Sequence, residues 1–178
     1  MQQISFTMSK RSFLSIIWCF TQVVIFAQAQ NISNQTFPFK VTLAGLDSLP
    51  VSTDTLFKKG KPTVLAFWLT TCAPCKLEFG AYAQRYADWK KQADFDLIAI
   101  SIDWPDRFGK IAEMAQQQNW PFPVYWDGDR AFKNILPGEL NGLPQVFIFD
   151  KNGRLAWQHK RYLPGDEEEL FAKVLELR

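Results

Sequence analysis

No other stretch limits the fold as tightly as the apolar run Thr63-Val64-Leu65-Ala66-Phe67-Trp68-Leu69, which leads within two residues into Cys72-Ala73-Pro74-Cys75. A continuous apolar run of this length reads as a central strand covered on both faces. The two thiols would then lie where that strand ends and a helix begins, the geometry of a reversible dithiol switch. Cys72 would sit at the helix N-terminus, where unpaired backbone N–H groups and the positive end of the macrodipole stabilise a thiolate. A free cysteine titrates near ~8.5 and cysteines at such positions between ~3.5 and ~7.5, so Cys72 is the expected nucleophile. Cys75, one turn on and facing inward, would resolve the mixed disulfide that Cys72 forms. A static structural disulfide with this spacing closes too small a loop to stabilise much. A zinc site needs two more ligands; outside the N-terminal segment there is no third cysteine, and His159 is the sole histidine of the chain. No metal and no cofactor are therefore expected.

The first 29 residues obey a different logic. Lys10 and Arg11 precede an apolar stretch from Phe13 to Phe26, and Ala27-Gln28-Ala29 supplies small residues where a signal peptidase reads. This predicts a secretory signal peptide over 1–29. The alternative is an uncleaved membrane anchor, although the stretch is interrupted by Thr21 and Gln22 and falls short of the ~20 residues that span a bilayer. Taking 29 from 178 leaves 149 residues, the size of one domain with a full core. The whole chain has 20 Lys+Arg against 18 Asp+Glu, and the leader removes two cations and no acid, so 18 stand against 18. A net charge of zero without a basic run gives no reason to expect a nucleic-acid partner. Two cysteines remain, in an exported compartment that permits disulfides.

Beyond the leader, residues 30–38 read as a flexible segment and 39–178 as the folded domain. Phe39 to Leu43 alternates as a strand, and Pro50 to Thr53 can pair back on it as a hairpin. Phe79, Tyr82, Tyr86 and Trp89 recur at helical spacing after the cysteines, as core positions. Phe95 to Ile102 is a second buried strand, followed by a helix from about Asp106. A short extended piece at Phe122 to Trp126 and a helix over 129–135 come next. Val146 to Asp150 and Arg154 to His159 form a hairpin across Asn152-Gly153. The last helix has Leu170, Phe171, Val174 and Leu175 on its apolar face, with Asp166 and Glu169 spaced as a capping box.

Two stretches carry a resemblance: Phe67-Trp68-Leu69-Thr70-Thr71-Cys72-Ala73-Pro74-Cys75-Lys76-Leu77-Glu78 and Gly142-Leu143-Pro144-Gln145-Val146-Phe147-Ile148-Phe149-Asp150-Lys151-Asn152-Gly153. Both resemble exported thioredoxin-superfamily oxidoreductases of the TlpA and ResA type, over nearly all of the mature chain. The resemblance implies an α/β thioredoxin fold, a mixed central sheet flanked by helices, with an N-terminal β-hairpin and a central insertion. It implies that Pro144 follows a cis bond and faces the cysteines, and that Glu78, three residues after Cys75, tunes the thiols and moves the resolving proton. Trp68, the aromatic packed beneath the site, joins Thr71, Ala73, Pro74 and Leu143 as the residues expected around a bound substrate.

Three positions depart from the family pattern. Thr71 stands where tryptophan usually precedes the first cysteine, Gly80 stands where many members have proline, and Ala66 occupies the strand position of the buried aspartate of cytosolic thioredoxins. The resulting expectation is a monomeric, exported, periplasmic thiol–disulfide oxidoreductase that reduces protein disulfides and is fed by a membrane-bound thiol donor. Apocytochrome thiols awaiting haem are one substrate class the resemblance implies. An oxidant that introduces disulfides and a thiol-bearing binding or chaperone module are the alternatives.

Overall fold

In the computed structural model, which describes Phe37 and residues 39–178, the apolar run becomes the middle of a seven-stranded sheet. In chain order the strands are β1 (Thr42–Ala44), β2 (Pro50–Ser52), β3 (Thr63–Trp68), β4 (Asp96–Ser101), β5 (Val124–Trp126), β6 (Gln145–Phe149) and β7 (Leu155–Lys160). The described helices are α1 (Thr53–Leu56), α2 (Ala73–Gln92), α3 (Phe108–Gln117) and α4 (Asp166–Leu177), with 3-10 turns at Pro105–Arg107 and Ala131–Asn134. Spatially the sheet runs β2-β1-β5-β4-β3-β6-β7. β3 pairs with β4 in parallel and with β6 antiparallel, and every residue of β3 is buried.

The two faces of β3 feed two apolar clusters, as its period-two alternation requires. Val64, Ala66 and Trp68 pack with Phe79, Tyr82 and Trp89 of α2, Ile111 and Ala115 of α3, and Leu170, Phe171 and Val174 of α4. Leu65 and Phe67 point the other way, toward Leu43, Phe57, Phe132, Leu136 and Leu140. Trp89 and Phe171 stack with centroids 5.0 Å apart and rings 8° from parallel, which joins α2 to α4. An offset aromatic pair of this kind adds about 0.5–1.5 kcal/mol beyond the area it buries.

The expected elements form, with four differences, the first being that the strand read over Phe39 to Leu43 begins only at Thr42 and runs to Ala44. The helix read over 129–135 is only the 3-10 turn Ala131–Asn134, because the Asp127 carboxylate accepts from the Ala131 and Phe132 amides and Pro137 follows close behind. The folded domain begins before residue 39. Phe37, placed by the sequence in the flexible segment, is buried against Phe57 and Phe149, and its amide donates to the Gly153 carbonyl at 2.5 Å. Gly153 is required there: its φ is +81°, and a Cβ would collide with the Phe37 carbonyl oxygen. The capping box on α4 is absent. Gly165, with φ +109°, is the N-cap, Asp166 accepts from the Leu163 amide, and Glu167 accepts from Gly165. With glycine at position 80, α2 runs unbroken for 20 residues. The expected signal peptide, residues 1–29, lies outside the described residues.

Candidate active site

Both motifs reach the same end of the sheet because of strand register. Phe67 of β3 faces Gln145 of β6, so the chain leaving β3 toward Cys72 passes Pro144 as it enters β6. The Leu143–Pro144 bond is cis, and the Pro144 carbonyl accepts from the Arg161 amide at 2.7 Å. Leu143 is half-buried and packs against both apolar clusters.

Cys72 is the N-cap of α2: its backbone is extended, and its sulfur accepts from the Cys75 amide at 3.2 Å. The Cys72 carbonyl accepts from the Lys76 amide at 3.3 Å. Pro74 falls in the first turn, where a missing N–H costs nothing. The two sulfurs are joined in a disulfide with Cα atoms 5.3 Å apart. Exposure divides the pair: Cys72 is partly exposed between the exposed Thr71 and Ala73, whereas Cys75 is completely buried. The outer sulfur is the one an incoming molecule can reach.

Glu78 is 1% exposed, and its Oε2 has no hydrogen-bond partner. Burial pushes its pKa up to about 8; the Tyr82 hydroxyl pulls the other way, while the Asp166 and Glu167 carboxylates of α4 push further upward. With the disulfide closed, Glu78 is therefore a protonated acid at neutral pH, three residues after Cys75 on the same side of α2. Tyr82, one turn beyond, is raised well above the ordinary tyrosine range, first by burial and then by Glu78. The sequence marks Tyr82 only as core. Its spacing from Glu78, i to i+4, is the signal that would have joined it to the site.

Of the residues expected to line the substrate approach, Thr71, Ala73 and Pro74 are exposed and Leu143 is partly so. Trp68 does not belong with them. It is wholly buried, with Trp120 against its ring at 4.9 Å and Phe79 at 5.8 Å, so it supports the site from beneath. A residue not singled out, Asp103, anchors the loop before the cysteines: its carboxylate accepts from the Thr70 amide at 2.7 Å and the Thr70 hydroxyl at 2.8 Å. A polar pair, Ser101 and Asp103, closing an apolar strand was the available signal, and the Ser101 hydroxyl indeed donates to Asp103 at 2.8 Å.

A dithiol at a helix N-cap on a mixed sheet, with a cis-proline loop beside it, defines a thioredoxin-like thiol–disulfide oxidoreductase. Residues 32–158 match the AhpC/TSA family, and the chain belongs to that family. It is 30% identical over 144 residues to the thiol-disulfide oxidoreductase ResA of Bacillus subtilis, covering 75% of this chain and 76% of that protein. The ResA of Oceanobacillus iheyensis is 24% identical over 152 residues, 79% of this chain and 76% of the relative. Among solved structures, an uncharacterized thioredoxin-like protein from Porphyromonas gingivalis superposes with TM-score 0.67 at 35% identity, over 78% of this chain and 90% of that one. A putative thiol:disulfide interchange protein DsbE from Chlorobium tepidum gives TM-score 0.67 at 26% identity, over 82% and 96%.

Proposed function

We propose that the protein reduces disulfides of other proteins outside the cytoplasm, with Cys72 as nucleophile, Cys75 as resolving thiol and Glu78 as the group that exchanges a proton with Cys75. The observation that carries this reading is the asymmetry of the pair: Cys72 is partly exposed at the N-cap of α2, whereas Cys75 is completely buried with the buried acid Glu78 three residues on. Burial lifts Glu78 to about 8, out of the ordinary carboxylate range, which suits it to take a proton from a thiol and give it back.

In the reduced protein the Cys72 thiolate attacks one sulfur of a target disulfide. The target S–S bond breaks, a Cys72–target mixed disulfide forms, and the first target thiolate leaves. Cys75 gives its proton to Glu78, which is left ionised when it returns its proton on reopening of the protein disulfide, and attacks the Cys72 sulfur, releasing the second target thiolate. Both target thiolates take protons from solvent, and two electrons have moved from the protein to the target. When an external dithiol donor reopens the protein disulfide, Glu78 returns its proton to the departing Cys75 thiolate. Thr71, Ala73 and Pro74 form the rim over which a target strand lies, and the Leu143–Pro144 loop offers it backbone groups.

Apocytochrome thiols as one substrate class and a membrane-bound thiol donor are part of this proposal, supported by the likeness to relatives named thiol-disulfide oxidoreductase. Export rests on the signal-like segment over 1–29. Among the described residues no helix is long and apolar enough to cross a membrane, and the domain is proposed to act as a monomer. Equilibration of the mature protein against dithiothreitol and glutathione buffers tests the direction. A potential near about −270 mV fits a reductant; one near about −120 mV makes the protein an oxidant and overturns the reading.

A further inference from the structure

One exposed indole beside the site is held far more firmly than its burial explains. Trp104 is 60% exposed, yet the Arg130 guanidinium lies over its ring, 3.8 Å from the centroid. Arg130 is fixed in turn: its Nε donates to the Ile102 carbonyl at 3.0 Å, and its backbone adopts a left-handed φ of +53° that few non-glycine residues take. Asp127 maintains that conformation, its carbonyl accepting from the Arg130 amide while its buried carboxylate accepts from Ala131 and Phe132. On the other side of Trp104, the Asp103 carbonyl accepts from Trp126 Nε1 at 2.8 Å and the Asp103 carboxylate grips Thr70. Two buried carboxylates and a left-handed arginine thus fix the loop that carries a side chain with little burial to gain.

Register gives that loop its address. Trp68 of β3 lies level with Ser101 of β4, and the Ile102 amide donates to the Trp68 carbonyl at 3.0 Å. Trp104 is three residues beyond Ser101, as Thr71 is three residues beyond Trp68. The Thr70–Asp103 bonds keep the two departing chains together, so the chain at Trp104 leaves the sheet about one to two strand spacings, ~5–10 Å, from the turn that presents Cys72. That distance is covered by two or three residues of extended peptide at about 3.3 Å each.

We propose that Trp104 is a specificity-determining platform for the protein substrate, and that Arg130 is its positioning residue. The platform takes polypeptide disulfides bearing an aromatic side chain two or three residues from the attacked cysteine. One face of the indole is covered by the guanidinium, and the other accepts a flat ring by offset stacking. An aromatic plate that is already immobile loses little entropy on binding, which is the advantage of holding it so firmly.

This inference rests on the reductase reading above, and the test separates the two. The reduced protein is given 5,5′-dithiobis(2-nitrobenzoate) in single turnover and, with excess dithiothreitol as electron donor and the uncatalysed rate subtracted, two disulfide peptides that differ only in Phe or Ala at the second residue after the cysteine. The platform predicts a kcat/KM ratio, Phe over Ala, of roughly 3- to 10-fold, residing in KM with kcat unchanged. Trp104→Ala brings the ratio to about 1, Trp104→Phe retains most of it, and Arg130→Ala lowers it through KM; because each variant is read as its own ratio, a general loss of folding does not mimic the result. A ratio near 1 in the parent, or an undiminished ratio in Trp104→Ala, overturns the platform alone. Failure of the parent to reduce any of the three disulfides overturns the platform and the reductase reading together.

Discussion

Replacing Glu78 by glutamine removes one ionisable group from the core and changes the pH dependence of stability in a calculable way. The group titrates near 4.5 when exposed and near 8 in the folded protein, where burial is the largest cause of the rise. A carboxyl group whose pKa rises on folding costs nothing below about pH 4.5, where both states hold the proton. Between pH 4.5 and 8 the unfolded chain releases its proton and the folded protein does not, so the parent loses stability through that window and no further above it. At ~1.36 kcal/mol per pH unit, the loss between pH 5 and pH 8 is about 3 kcal/mol. Glu78→Gln has no such loss. The stability difference between variant and parent should therefore grow in favour of glutamine by about that amount over the same range. Urea unfolding of the oxidised proteins at pH 5, 6, 7 and 8 measures this directly, because the disulfide keeps both cysteines out of the titration. A difference independent of pH would show that Glu78 is ionised in the folded protein, and the proton exchange with Cys75 would lose its basis.

Three further outcomes are expected. With a disulfide peptide and mass spectrometry, Cys75→Ser should accumulate a mixed disulfide on Cys72, whereas Cys72→Ser, which leaves only the buried sulfur, should form none. Tyr82→Phe removes the hydroxyl that favours ionised Glu78, so the carboxyl should titrate above its present value of about 8, seen as an upward shift in its NMR pH titration. Gly153→Ala places a side chain at φ +81° against the Phe37 carbonyl and should destabilise the fold by about 2 kcal/mol in urea unfolding; an unchanged midpoint would mean that Phe37 is not held where it is seen.

What could be read from the residues depended on whether periodicity alone decided the outcome. β3, β4 and the β6–β7 hairpin were legible because a continuous apolar run and an Asn-Gly turn have few other solutions. The thiol pair was legible for the same reason, since the strand end and helix start fix its surroundings. The burial of Glu78 was harder to see, although its signal was present. Cys75, Glu78, Phe79 and Tyr82 are spaced i, i+3, i+4 and i+7, a single stripe, and a charged residue inside such a stripe is carried into the core by its neighbours. Phe37 escaped because Pro38 follows it and its partners Phe57 and Phe149 are distant in the chain, although Phe37, Phe39, Val41 and Leu43 continue one period-two alternation into the same cluster. The short turn at Ala131–Asn134 escaped because the Asp127 side chain, rather than helical propensity, satisfies its first amides.

The origin of the high Glu78 pKa lies partly in another helix. Asp166 and Glu167 begin α4, where the helix N-terminus favours negative charge. Each is further engaged: Asp166 with His159 Nε2 at 3.1 Å and the Leu163 amide at 2.7 Å, and Glu167 with the Tyr162 hydroxyl at 2.8 Å and the Gly165 amide at 2.9 Å. Those bonds help draw Glu167 below its ordinary range against the effect of burial. Charge settled on α4 repels a second negative charge on Glu78, so the contacts that stabilise the start of one helix hold the proton on a buried acid of another. Ala66, packed between Ala99 and Val146 in the sheet, leaves β3 without a carboxylate at that position. The buried acid of this site stands instead on the helix that carries the cysteines, where the first residues of α4 help set its affinity for the proton.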